Sequence, residues 1–351
     1  MSRVKFGDVV KDVKINIDRL NNPYEYYVAG DHMDSEDLTI HRKGCFTTDD
    51  VGPAFIRVFK PGQILYGSRR TYLKKIAVAD FEGVCANTTF VFETKDPHAF
   101  EQRLLPFIML SKDFTTWSIA KSKGSTNPYV LFSDLADFEF ELPPLEEQKV
   151  LVDKLWAAYR LKEAYKKLLV ATDEMVKSQF IEMFKEKGYP LRMLKSFADV
   201  STGGTPSKAN LEYWNGDKPW VSAEDMKNKY VYDTCEKVTE AGYATCKIIP
   251  VDTLMYVCRG SIGVMAINKI ECATNQSICR AKCHDNVCNV EFLYHALMYQ
   301  KDNIKKMGTG TSFKSLNQTS FSELKIELPP YNEQMKFVSI AQQADKSEYY
   351  N

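Results

Sequence analysis

Between residues 142 and 184 apolar side chains recur at Leu151, Leu155, Ala158, Tyr165, Leu169, Val176, Phe180 and Met183, in steps of three, four or seven among polar neighbours. Pro143 and Pro144 suit a first helical turn and forbid helix before it. Glu146 and Glu147 follow, where the positive end of the helix dipole favours carboxylates. No Gly or Pro interrupts the stretch until Gly188 and Pro190. The spacing predicts one helix of about 40 residues, roughly 60 Å long at 1.5 Å per residue. A single apolar stripe asks for a partner helix along its length, although Lys162 falls on the stripe and weakens it.

Elsewhere the pattern shortens to strand-like runs and turns. In the first part, residues 26–29, 54–59, 64–66, 75–79 and 89–92 read as strands and 100–110 as a helix ending near Lys112. In the second part, 218–222 and 254–257 read as strands, 291–306 as a helix, and 331 to about 348 as a final, shorter helix. The class is α+β.

The opening of the long helix returns later. Glu141-Leu142-Pro143-Pro144-Leu145-Glu146-Glu147-Gln148 is answered by Glu327-Leu328-Pro329-Pro330-Tyr331-Asn332-Glu333-Gln334, displaced by 186 residues. The same offset relates Gly124-Ser125-Thr126 to Gly310-Thr311-Ser312, and Leu135 to Phe321. With small shifts, Asn87 faces Asn275. A repeat this long is a duplicated domain rather than a solenoid. The predicted order is a globular domain (1–141), the helical spacer (142–187), a second globular domain (188–328) and a short distal helix (329–351). The long spacer helix and the shorter distal helix are expected to pair antiparallel.

Composition narrows the function without naming it. The 351 residues, 44% hydrophobic, can fill two cores, and no apolar run is long enough to span a membrane. The expected compartment is the cytoplasm, since the N-terminus lacks a signal-peptide pattern and the nine cysteines lack a disulfide framework. The densest patch, Cys272, Cys279, Cys283, His284 and Cys288, lacks paired zinc-type spacing and is read as buried thiols.

Net charge is zero, with 46 basic and 46 acidic residues, which argues against a non-specific DNA coat. Its distribution is uneven. From 56 to 76 the chain carries Arg57, Lys60, Arg69, Arg70, Lys74 and Lys75 and no acid. Arg69 and Arg70 with Tyr72, Lys74 and Lys75 combine phosphate-pairing charge with guanidinium geometry that fits guanine. Arg259 and Ser261 repeat this in the second part, and Asn87, Asn275 and Gln276 are amides suited to adenine.

Two polar loops complete the set of candidate DNA contacts: Lys123, Ser125, Thr126 and Asn127, and Thr311, Ser312 and Lys314, with Trp220 added. The alternative for each is a solvated face or a structural turn. No Walker A pattern, Gly-rich cofactor loop or clustered catalytic residues accompany them, and Thr126-Asn127-Pro128-Tyr129 lacks one proline of the adenine-methyltransferase box.

The doubled Glu-Leu-Pro-Pro-x-x-Glu-Gln boxes, with Gly203-Gly204-Thr205-Pro206-Ser207 and Pro219-Trp220-Val221, make the chain resemble the specificity (S) subunit of type I restriction-modification systems over nearly its whole length. The resemblance implies two target-recognition domains, each reading half of a split double-stranded DNA target, and no catalytic residue. It implies methyltransferase (modification) and restriction subunits as partners, with S-adenosylmethionine, ATP and magnesium held by them and no cofactor or metal on this chain. A stand-alone DNA-binding regulator and an enzyme with an unrecognised site are the alternatives. Because the last helix is shorter than the spacer, Leu169, Val176, Phe180 and Met183 are expected to lie uncovered and bind a partner.

Overall fold

The computed structural model describes residues 2–185, 187–307 and 316–346. It divides into two compact units, Met1–Ala164 and Tyr165–Asn351. The predicted spacer is one unbroken helix, Leu145–Phe184, of 40 residues. The boundary between the units falls inside it, so each unit owns one half of the helix.

In the first unit a four-stranded antiparallel sheet runs in the order Val10–Asp12, Thr89–Thr94, Ile64–Gly67, Ile76–Val78. A second sheet runs Gly44–Cys45, Tyr26–Val28, Gly83–Ala86, Phe55–Phe59, with one parallel pair. The predicted helix at 100–110 continues further than the pattern suggested. Ser111 ends Leu105–Leu110 and caps a new helix, Lys112–Ala120, by accepting from the Phe114 amide at 3.2 Å. The core gathers Phe6, Tyr66, Phe92 and Phe114 with Val152 and Tyr159 from the long helix.

The second unit repeats the plan. A five-stranded sheet runs Ala198–Thr202, Ile278–Cys283, Leu254–Val257, Met265–Asn268, Tyr230–Val231, beside a three-stranded sheet of Glu236–Val238, Trp214–Val221 and Ala273–Thr274. The predicted helix at 291–306 is two, Val290–Met298 and Lys301–Met307.

The expectation of an uncovered apolar stripe fails here. Val176 and Phe180 are buried in the core of their own unit. Phe180 stacks on Phe292 at 5.7 Å and meets Phe337 edge-on at 5.2 Å. Met183 packs against the same core and Leu169 is half-buried. The last helix, Tyr331–Lys346, has 16 residues, but it needs to cover only the second half of the long one. Phe184 meets Phe337 while Leu169 and Asp173 line a small cavity with Ala344 and Asp345, so the two helices run antiparallel.

The repeated box has a structural cause. Gln148 is fully buried: its Oε1 accepts from the Glu101 amide at 2.9 Å, and its Nε2 donates to the Ala99 and Pro143 carbonyls at 2.9 and 2.7 Å. Gln334, equally buried, accepts from the Asn289 amide and donates to the Val287 and Pro329 carbonyls, each at 2.9 Å. Each glutamine ties the start of its helix to the turn before a core helix. Three backbone groups around each buried glutamine are thereby satisfied.

Candidate nucleic-acid interface

In the first unit the basic loop and the polar loop, far apart in sequence, are brought together. The Arg70 amide donates to the Pro128 carbonyl at 2.7 Å, and the Val130 amide to the Ser68 carbonyl at 3.0 Å. Backbone bridges join Tyr129 to both Arg69 and Lys123. The Ser68 amide reaches the Thr88 carbonyl at 3.1 Å, which sets the turn carrying Asn87 beside them.

Arg70 (φ 49°) and Lys74 (φ 46°) adopt the left-handed region, uncommon for residues with a Cβ, at the two ends of the short 3-10 turn Thr71–Leu73. The bonds above hold that shape against its cost of about 1–3 kcal/mol per residue. The result is a surface where Arg69, Arg70, Tyr72, Asn87, Lys123, Ser125, Thr126 and Asn127 are all exposed.

Charge on this surface is not uniform. Lys74 pairs with Glu36 at 2.5 Å, and Lys75 donates to the Gly30 carbonyl, so both are partly spoken for. Lys74 holds the Glu36 carboxyl below its ordinary range. Lys123 pairs with Asp134 at 2.9 Å. Arg57, which shares the basic stretch, is turned inward onto Asp12 at 3.0 Å, in a nearly buried pair. Burial pushes the Asp12 carboxyl up, and the guanidinium only partly opposes this. Among the described residues, the Arg69 and Arg70 guanidiniums make neither an ion pair nor a side-chain hydrogen bond, and both residues are exposed.

The second unit repeats three framework bonds among its described residues. The Cys258 amide donates to the Ser277 carbonyl at 2.8 Å, the Leu316 amide to the Cys258 carbonyl at 2.9 Å, and the Asn275 amide to the Val221 carbonyl at 3.0 Å. The last matches the Asn87 amide on the Ala54 carbonyl at 2.8 Å. Arg259, Ser261 and Gln276 are exposed, and Asn275 is half-buried with its side chain accepting from the Ser277 amide at 2.9 Å. Thr311, Ser312 and Lys314 lie outside the described residues.

Trp220 is not a surface contact. It is 4% exposed, packs edge-on against Trp214 at 5.1 Å, and donates its indole N–H to the Gly204 carbonyl. Alternation along the strand Trp214–Val221 places it inward, which the adjacent proline obscured.

Several contributors had weak sequence signals. Gly203 sits so close to the Thr274 and Asn275 carbonyls that a Cβ there would approach them to 2.1 and 2.2 Å, which explains the first glycine of the Gly-Gly-Thr-Pro run. That approach brings Thr205 to donate to the Gln276 side chain at the surface. Arg280, 1% exposed, donates to the Lys247 and Thr202 carbonyls at 2.6 Å each and pins the start of the same run. Burial pulls its pKa down from the ordinary value. Exposed Tyr129 flanks Arg69 and Lys123, and only its position after Pro128 marked it.

No catalytic arrangement emerges among the described residues here: the surface offers hydrogen-bond donors, amides and an aromatic edge, the chemistry of recognising phosphates and base edges. Cys279, Cys283 and Cys288 are buried thiols.

Comparison with known proteins agrees with this chemistry. The sequence matches the family described as Type I restriction modification DNA specificity domain over residues 18–169 and again over 186–349. It is 30% identical over 180 residues to the type I restriction enzyme MjaIX specificity subunit of Methanocaldococcus jannaschii, covering 47% of this chain and 41% of that protein. It is 31% identical over 171 residues to the EcoR124I/EcoR124II specificity subunit of Escherichia coli, covering 46% and 42%. These matches thus span less than half of those relatives' lengths. The fold is similar to the solved S subunit of a type I restriction-modification system from M. genitalium, with TM-score 0.65 and 16% identity over 99% of this chain and 89% of that one.

Proposed function

The chain belongs to the type I restriction modification DNA specificity domain family, and from that premise we propose that it is the sequence-reading, non-catalytic subunit of a restriction-modification complex. Each unit reads one half of a split double-stranded DNA target. The observation that carries this reading is the framework made twice, with Arg69, Arg70 and Asn87 displayed on one copy and Arg259, Asn275 and Gln276 on the other. Methyltransferase subunits, and a restriction subunit where one is encoded, bring S-adenosylmethionine, ATP and magnesium. Their docking surface includes Tyr165, Leu168 and Met175, which lie on one exposed face of the long helix at steps of three and seven. The expected compartment is the cytoplasm, where that DNA is.

Two measurements test this. Purified alone with DNA, S-adenosylmethionine, ATP and magnesium, the chain neither methylates nor cuts; with its methyltransferase it methylates a bipartite motif. Turnover by the pure chain would instead favour an enzyme. Arg70→Ala, assembled with the methyltransferase, costs about 1–3 kcal/mol of discrimination at one position of one half-site and leaves the other half-site untouched. A uniform loss over both halves would place Arg70 outside base reading.

A further inference from the structure

Within the first unit, away from the loop displaying the arginines, three metal-type donors converge. Asp37 and His41 lie four residues apart on an irregular segment, and Glu163 projects from the long helix. Their donor atoms all lie within 4.8 Å of one another, and among the described residues no other three His, Cys, Asp or Glu side chains do so.

The approach is built rather than casual. Tyr159, one helical turn before Glu163 and on the same face, donates to Asp37 Oδ1 at 2.6 Å. The Thr39 amide donates to that same oxygen at 2.9 Å. The other oxygen, Oδ2, faces His41 Nε2 at 3.1 Å. Asp37 is 7% exposed, and one carboxylate oxygen of Glu163 is sealed from solvent, while His41 is exposed enough to admit water. An outer hydroxyl that fixes one carboxylate oxygen and aims the other is the arrangement that orients metal ligands.

We propose that Asp37, His41 and Glu163 form a binding site for a divalent transition-metal ion, completed by water on the His41 side. Bonds of about 2.0–2.2 Å from oxygen and nitrogen put neighbouring donors on one ion about 3.0–3.5 Å apart, so donors now within 4.8 Å of one another close by up to about 1.5–2 Å through side-chain rotation. Two carboxylates with one imidazole suit manganese, cobalt or zinc, whereas magnesium and calcium prefer oxygen alone.

The ion also has a structural consequence. The Glu36 amide donates to the Lys74 carbonyl at 3.1 Å, and Ser35 pairs with Lys75, so the segment holding Asp37 is stitched to the end of the basic loop. A bound ion would fasten that segment to the helix through Glu163. The site stands whether or not the loop reads DNA.

The test uses the full chain, stripped with chelator and titrated with Mn²⁺ under electron paramagnetic resonance, because manganese has little affinity for the nine thiols. One equivalent is expected. Glu163→Gln and His41→Gln should each weaken it at least about tenfold, and millimolar Mg²⁺ should not displace it. Hydrogen exchange of the unmutated chain provides a measure independent of variant folding: Mn²⁺ should slow exchange at residues 35–41 and little elsewhere. No bound equivalent, binding unchanged in both variants, or protection confined to other segments would each overturn the site and leave only an Asp37–His41 hydrogen bond.

Discussion

The two units fasten a loop to a helix at the same place with opposite chemistry. Tyr159 lies eleven residues after Gln148, and Asp345 eleven after Gln334. In the first unit the helix supplies the hydroxyl and the loop the carboxylate: Tyr159 donates to Asp37 and accepts from the Leu38 amide at 2.8 Å. In the second the helix supplies the carboxylate: Asp345 meets the Tyr230 hydroxyl at 3.2 Å and the Lys229 ammonium. Lys229 and Tyr230 also bond Glu291, at 2.8 and 2.9 Å. Burial and the facing carboxylate push the Tyr159 phenol up to about 12, and Tyr230, facing two, higher still. Duplication has kept where the contact is made and released what makes it. The same division holds at the surface, where framework bonds repeat and the displayed side chains differ, which fits the proposal that each unit reads its own half-site.

The strongest way to break the likeness is through what is identical. Gln334→Leu removes three hydrogen bonds and strips the Asn289 amide and the Pro329 carbonyl of a partner inside the fold, while the carbonyl of exposed Val287 can turn to water. At about 1–3 kcal/mol for each of these two groups, the second unit should lose roughly 2–6 kcal/mol. Gln148→Leu should do the same to the first. Hydrogen exchange under mild urea, read separately for residues of each unit, should show loss in one unit per variant. An equal loss in both units from either change would mean that they unfold together.

Acid should separate the units next. Burial, then the Lys229 charge, pulls the His295 imidazole from 6.5 down to about 3. The fold therefore holds this ring neutral, while the unfolded chain takes up a proton below about pH 6.5. Its contribution is complete above pH 6.5 and is lost as pH falls toward 3, at about 1.4 kcal/mol per pH unit. At pH 4.5 the second unit should be weaker by about 2–3 kcal/mol. None of the histidines of the first unit is buried. His295→Gln should abolish the difference in acid sensitivity; a slope that survives the change belongs to other groups.

Local signals carried the sequence reading far. The proline boxes, the unbroken helix and the offset of 186 residues are properties of consecutive residues, and the fold follows them. The basic loop, the polar loop and the Asn87 turn were each legible alone. Their meeting was not, because it rests on backbone bonds such as Arg70 to Pro128, which carry no residue signature. The errors share that origin. Val176 and Phe180 looked bare because Phe292 and Phe337, which cover them, lie over a hundred residues away. Trp220 looked available because its partner Trp214 is reached only through the strand's alternation.

A subtler break targets the inverted fastening itself. Tyr159→Phe keeps the ring but strips Asp37 and the Leu38 amide of a partner, at a cost of about 1–3 kcal/mol to the first unit. Tyr230→Phe should cost less, since Lys229 still pairs both Glu291 and Asp345. Equal losses in urea melts would deny that the lysine shares the second contact.

The smallest effect sharpens the surface comparison. Counterion release makes the salt dependence of DNA binding a count of phosphates met by free cations, at about 0.9 in slope for each. Arg69 makes no ion pair among the described residues, whereas Lys74 already faces Glu36. If Arg69 meets phosphate, Arg69→Ala should flatten the slope by close to that amount. Lys74→Ala should change it by a fraction, because the Glu36 carboxylate cancels most of the charge DNA would meet. Glu36→Gln should then steepen the slope by freeing Lys74, with the half-site sequence unchanged. Equal flattening by Arg69→Ala and Lys74→Ala would show that DNA pulls Lys74 away from Glu36 on binding, and that the loop is remodelled rather than preformed.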